Sequence, residues 1–362
     1  MPEFIPGLEL SEKFYQREVE PILRTTFPGL LYSAALIGWG SEVLGFDTAI
    51  SRDHHWGPRV LLFLSEADYP KLNRRISKVL SRSLPYEFLG YSTNFSKPEP
   101  NGVRFPVTIK SGPVNHMVNV YTVRSFVRSR LGIDPAQKTS VKEWLTLSQQ
   151  RLLEFTSGQV YHDGLGELGK MRRKLSYYPK DVWLYLLASQ WTRISQEEAF
   201  VGRNGDVGDE LGSQLVAARL VREIMVLSFL MERRYIPYSK WLGPAFNNLK
   251  IAKELKPLLS ATLKATTWKQ RERWLGKAYT VVAQRHNALK VTTPLSTKTA
   301  HYHSRAYVVI NADRFAKAIK QSIRDAEVKR IGPEIGAIDQ FTDSTNVIED
   351  LRIGMKLRRL YE

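Results

Sequence analysis

No residue of this 362-residue chain is a cysteine. Disulfides, thiolate zinc sites and cysteine nucleophiles are thereby excluded, which leaves His, Asp, Glu and Asn as the protein ligands a metal could use. Long hydrophobic runs are missing too. The densest stretch, Ile224–Met231, stops at Glu232-Arg233-Arg234, well short of the ~18 apolar residues of a bilayer-crossing helix. The opening MPEFIPGLELSEKFY lacks the charged-then-apolar order of a secretory signal, so the expectation is a cytoplasmic chain with no membrane partner. Repeats and low-complexity tracts are absent. Negative charge is scarce: 36 Asp and Glu stand against 53 Lys and Arg, a net +17. Such a balance attracts polyanions, whether nucleotide triphosphates, RNA, DNA or an acidic surface. A solvated basic face is the plainer alternative.

What is present divides by periodicity. Leu8–Thr25 carries Phe14, Val19, Ile22 and Leu23 at helical spacing. The short apolar runs Leu30–Ile37 and Arg59–Leu64 suit buried strands, and Tyr69–Ser83 returns to a helical period. Its polar face carries Lys71, Arg74, Arg75, Lys78 and Arg82. Residues 90–113, rich in Pro, Gly, Asn and Ser, predict a long loop or hairpin, and Val114–Val123 a further strand. From about Val141 the pattern is helical: Val141–Ser157, Pro179–Val201, Asp209–Arg234 and Trp268–Leu289, with Gly202–Gly205 read as a turn. A short strand at Tyr307–Ile310 and a basic helix at Arg314–Arg324 close the chain. The expected class is α+β, with an α/β domain over 1–135, a helical-bundle domain over 136–290 and a C-terminal extension over 291–362 packed on the core.

The segment GWGSEVLGFDTAISRDHHWG at 38–57 carries the chemistry. Gly40-Ser41 follows an apolar strand, where a glycine lets backbone approach a phosphate and a helix N-terminus offers free N–H groups. Eleven residues separate Ser41 from Asp53, and a carboxylate two residues further on would share its side of a strand. This stretch resembles the nucleotide-binding signature of DNA polymerase β-like nucleotidyltransferases. GSEVLGFDTAISRDHHWGPRVLLFL, YYPKDVWLYLLASQWTRISQEEAFVGR, GDELGSQLVAARLVREIMVLSFLMERRYIPYSKW and RHNAL are similar to bacterial nucleotidyltransferase-like proteins known only as a domain of unknown function. The resemblance implies a polymerase β-like domain followed by a helical bundle. It also implies a nucleoside triphosphate substrate, Mg²⁺ (or Mn²⁺), and metal ligands at Asp53 and His55, which are the catalytic positions.

The pattern departs at two places. The Asp-x-Asp is Asp53-His54-His55, and the later strand offers Asn119 where the family has a third acid. One carboxylate and an imidazole make a poor pair of Mg²⁺ ligands. Three readings stand open: one metal on Asp53, His55 and the triphosphate; a softer ion such as Mn²⁺ or Zn²⁺ with His54, His55 or His116; or binding without turnover. Glu42 and Asp47 are further carboxylates within reach in sequence.

In the helical region, Arg219 and Arg222 lie on an apolar helix and call for an anionic partner, a carboxylate or a phosphate. Tyr-Ile-Pro-Tyr-Ser-Lys-Trp at 235–241 resembles a stretch of small-molecule nucleotidyltransferases whose lysine reaches the triphosphate, which assigns that role to Lys240. Gly40, Ser41, Lys240 and Arg219 are therefore the expected nucleotide contacts. Glu197 or Glu198 as a general base stands beside Asp209 as an ordinary helix cap. The expected function is transfer of a nucleoside monophosphate to a hydroxyl on a small molecule, a protein or an RNA. The alternative is a catalytically degenerate nucleotide- or RNA-binding protein.

Overall fold

The chain folds as two compact units: residues 1–139 with 151–176, and residues 140–150 with 177–362. The computed structural model describes residues 3–51, 54–100, 102–332 and 334–362. Helices and a small sheet make it an α+β protein, as the sequence predicts.

The first unit opens on α1 (Gly7–Phe14), a π-helical turn (Tyr15–Val19) and α2 (Glu20–Thr26). Leu10, Phe14, Val19 and Leu23 recur along one face and are all buried. Strands β1 (Tyr32–Leu36) and β2 (Arg59–Leu64) are buried at every position, which matches their unbroken apolar runs. Then come α3 (Tyr69–Ser83), a small hairpin of β3 (Glu87–Phe88) and β4 (Tyr91–Ser92), β5 (Met117–Thr122) and α4 (Val123–Leu131). After α5 (Val141–Thr146), which belongs to the second unit, the chain continues through α6 (Gln149–Thr156), β6 (Gln159–Asp163) and α7 (Glu167–Lys174).

The sheet runs β5-β2-β1-β6, with β2 and β5 parallel and β1 antiparallel to both its neighbours. Alternation splits the side chains between two faces. Ala34, Val60, Leu62, Leu64 and Val118 share a core with α1, α2 and α3. On the opposite face, Phe63 and Tyr121 pack against Phe126 of α4, which in turn meets Phe155 of α6.

Three local expectations are corrected. Residues 159–163, expected within an all-α region, form β6 and pair with β1. Gly158 permits this: at φ +71 it passes so close to β1 that a Cβ would sit 2.1 Å from the Leu36 carbonyl. The Ser33 hydroxyl then donates to Asp163 at 2.7 Å. The helix expected over Val141–Ser157 is two helices, interrupted at Leu147, whose backbone is extended. Residues 202–205 continue a helix rather than turning.

That helix is α9 (Phe200–Asp206) of the second unit, preceded by α8 (Lys180–Glu197). Next come α10 (Glu210–Met231), α11 (Ser239–Asn247), α12 (Ala252–Lys264) and α13 (Trp268–Ala288). A hairpin of β7 (Ala300–Tyr302) and β8 (Arg305–Val309) leads into α14 (Asp313–Ser322). α8 is buried continuously from Val182 to Trp191, the central position its all-round apolar sequence predicts. α14 closes one side of it by stacking Phe315 on Trp191, centroids 4.3 Å apart. Among the described residues no helix is long and apolar enough to cross a membrane.

Candidate anion-binding site

β1 delivers the chain to Gly38-Trp39-Gly40-Ser41. Gly40 is at φ +133, and a Cβ there would meet the Arg59 guanidinium at 2.3 Å and the Glu42 carboxyl at 2.5 Å. Only glycine satisfies both the backbone and the space. The expected helix does not follow. Residues 41–45 make a single turn closed by Phe46 N–H on the Ser41 carbonyl at 2.9 Å. The Val43 carbonyl, which a helix would use internally, accepts from Gly158 N–H at 2.9 Å instead. The Ser41 hydroxyl donates to the Ser51 carbonyl at 3.1 Å, so it pins the loop that leads toward the histidines.

Arg59 opens β2 and is buried. Its Nε donates to Glu42 at 2.8 Å and its Nη2 to the Trp39 carbonyl at 2.7 Å. The same guanidinium lies 4.3 Å from the Trp39 ring centroid. Arg130, at the end of α4, approaches that indole at 5.5 Å and Phe126 at 5.7 Å. Arg104 comes from the long loop: its guanidinium donates to the carbonyls of Ser96 and Asn115 at 2.9 and 3.1 Å. Among the described residues, neither Arg104 nor Arg130 makes an ion pair, and burial lowers the pKa of both.

His55 stands among these cations. Its backbone is left-handed at φ +55, its N–H donates to the Arg104 carbonyl at 3.0 Å, and its ring lies 4.2 Å from that of Trp39. Burial, then the charges of Arg59, Arg104, His54 and Arg130, lower its pKa to about 4. His55 is neutral at pH 7, and its Nδ1 is buried without a hydrogen-bond partner among the described residues. Of the three guanidinium groups that act on this imidazole, Arg59 is paired with Glu42, whereas Arg104 and Arg130 have no carboxylate partner among the described residues.

Asp53 lies outside the described residues. Asn119 pairs with Leu61 across β2 and β5, so an amide occupies the strand position expected to carry an acid. The other candidate ligands have duties of their own. Glu42 holds Arg59 at 2.5 Å, while Asp47 accepts from Gly7 N–H at 2.7 Å and from the Trp56 indole at 3.0 Å. His116 places Nε2 3.0 Å from the Ser77 carbonyl and accepts Val118 N–H at Nδ1. No three of the described His, Asp and Glu side chains are grouped to hold a metal ion. A nitrogen donor in a positive field does not fit resident Mg²⁺, which prefers several hard oxygens.

The remaining expected contacts lie in the second unit. Arg219 is 63% exposed and pairs with Glu197 at 2.6 Å, so the anion it calls for is a carboxylate. Lys240 sits in the first turn of α11 with its ammonium 4.8 Å from the Trp241 ring centroid. Glu198 serves as a structural acceptor for Ile310 and Ala312 N–H at 2.7 and 3.0 Å, and Asp209 caps α10 through Gly212 N–H at 2.7 Å. Sequence reasoning missed Trp39, Arg59, Arg104 and Arg130. The tryptophan between two glycines was a visible signal; Arg104 and Arg130 carry none, because folding alone brings a loop beside His55 and a helix end beside Trp39.

Residues 144–242 match a family described as a domain of unknown function (DUF4037). That stretch contains α8, α10, Arg219 and Lys240, and excludes the segment from Gly38 to Arg59. No curated protein and no solved structure matches the chain.

Proposed function

We propose that the first unit is a polymerase β-like nucleotidyltransferase domain that binds the phosphates of a nucleoside triphosphate and has lost resident-metal catalysis. The observation that carries this reading is Arg59 and Arg130 against Trp39, with Arg104 beside a neutral His55. A triphosphate seated there would give an anionic partner to Arg104 and Arg130, which make no ion pair among the described residues, and an acceptor to His55. Charge-assisted hydrogen bonds of this kind are about twice as strong as neutral ones. The same field opposes a bare divalent cation, so any Mg²⁺ would arrive already bound to the triphosphate. Gly40 lets the Arg59 guanidinium and the Glu42 carboxyl lie against the turn, while Ser41 holds the loop.

Thermal shift with ATP, GTP, CTP and UTP, each with and without Mg²⁺, tests the reading. The expected result is stabilisation without metal that persists in Asp53→Ala and disappears in Arg130→Met. Stabilisation that needs Mg²⁺ and vanishes in Asp53→Ala would instead favour transfer of a nucleoside monophosphate to a hydroxyl acceptor.

A further inference from the structure

A basic cleft lies wholly within the second unit. It encloses about 500 Å³ between the start of α8 and the segments that follow α10, α13 and α14, and Lys180, Trp183, Arg233, Lys290, Ser322 and Arg324 line it. Four of the ten lining residues are cations, and Leu184, Leu289 and Val291 are apolar. Among the described residues none of these four side chains makes an ion pair with a carboxylate. Asp181, next to Lys180 in sequence, is taken up by the backbone N–H groups of Arg324 and Asp325 at 2.8 and 2.5 Å.

Helix-dipole complementation is the ordinary reason for cations at helix ends, and it covers Arg233, Lys290 and Arg324, which follow C-termini. It does not cover Lys180, which opens α8 at the end where positive charge is unfavourable. Arg233 and Lys290 also hold left-handed backbones, φ +51 and +54, a conformation that non-glycine residues seldom adopt. On α14 itself Arg314 is held by the Ser296 carbonyl at 2.7 Å and Lys317 by Asp313 at 2.8 Å, whereas Arg324, two residues past its end, lines the cleft.

We infer that this cleft binds the phosphodiester backbone of a nucleic-acid strand, without reading its bases. The lining decides between a strand and a free nucleotide. Its one aromatic, Trp183, is 2% exposed, donates its indole N–H to the Leu230 carbonyl at 2.8 Å, and is covered by the Arg233 guanidinium at 4.1 Å. No ring face is left on which a base could stack, and stacking is what holds unpaired bases. Exposed ammonium and guanidinium groups around an open cleft recognise phosphates, whose contacts position a strand irrespective of sequence. The inference is independent of the nucleotide site in the first unit.

Fluorescence anisotropy of the full chain with labelled 20-nucleotide single-stranded RNA and DNA, titrated from 50 to 300 mM NaCl, tests it. Lys290→Gln with Arg324→Gln should weaken either strand about tenfold or more, and should flatten the log–log salt slope by about one per cation removed. Lys180→Gln, on a different helix, should reproduce a smaller part of both effects. Lys71→Gln with Arg74→Gln, on the basic face of α3, should change neither. Strand binding within twofold of wild type in the cleft variants, with an unchanged slope, would overturn the inference. So would equal loss in the α3 variant, which reduces binding to net charge. Binding of inorganic phosphate or ATP that the cleft variants abolish, with no strand binding at 50 mM NaCl, would overturn it in favour of a small anion.

Discussion

The Arg59 guanidinium sits 4.3 Å from the centre of the Trp39 indole while its nitrogens hold Glu42 and the Trp39 carbonyl. One arginine thus joins the end of β1 to the start of β2 and presents positive charge beside His55. The pair is both structural and electrostatic, so the two roles are best separated by changing different residues.

Arg130 adds charge to the site without an ion pair among the described residues, so its removal costs the fold little. Arg130→Met keeps much of the packing on Trp39 and Phe126. Its affinity for ATP, measured by calorimetry, should fall about 10- to 100-fold, the equivalent of the ~1.5–3 kcal/mol of a charge-assisted hydrogen bond. Its thermal midpoint without ligand should stay close to wild type.

If the proposed nucleotide site is right, His55 should make binding pH-dependent. Its pKa is about 4 in the free protein, and a neighbouring phosphate raises it, because the anion favours the charged imidazole. Binding therefore takes up protons, and affinity rises as pH falls from 8 toward 5.5. Calorimetry at pH 6 in buffers of different ionisation enthalpy should read this uptake in wild type and none from this site in His55→Gln.

Glu42 and Arg59 form a buried pair, 2% and 4% exposed at their side chains. Glu42→Ala strands the arginine charge in the interior, a change that costs about 3–5 kcal/mol. Urea denaturation should show that loss as a lower midpoint with an unchanged slope. A midpoint within the error of wild type would show that Arg59 finds water or another acceptor.

Burial pushes Glu198 up to about 7. Its folded pKa lies above the unfolded carboxylate value of about 4.3. The folded chain therefore binds the extra proton between these values, and the stability this group contributes is lost as pH rises through 7. Glu198→Gln removes that dependence and sacrifices one acceptor for the N–H groups of Ile310 and Ala312. The wild-type advantage in thermal midpoint should be several degrees larger at pH 5 than at pH 8.

Much of the fold was legible because local rules govern it. β2 spans Arg59–Leu64 and α3 spans Tyr69–Ser83, the bounds their apolar periods predict, since burial on two faces or on one stripe leaves its mark on adjacent residues. β6 was not legible. Gln159-Val-Tyr-His-Asp has no apolar run, and it is a strand only because Gly158 and Ser33 let it lie along β1. The site divides likewise. Gly40, with its left-handed turn, stood out from the sequence, whereas Arg219 looked like a ligand contact and pairs with Glu197.

By itself, then, the sequence determined the absence of thiol chemistry, the excess of positive charge, the α+β class and the Gly-Ser turn, all properties of composition or of neighbours in the chain. Tertiary structure alone decided where that charge converges. Arg59 and Arg130 meet at Trp39, and Arg104 comes beside the neighbouring His55, because β2, α4 and a loop converge there. Lys180, Arg233, Lys290 and Arg324 meet because a helix start and three helix exits border one cleft. Electrostatic energy depends on distance through space, and distances between residues so far apart in the chain exist only once it has folded.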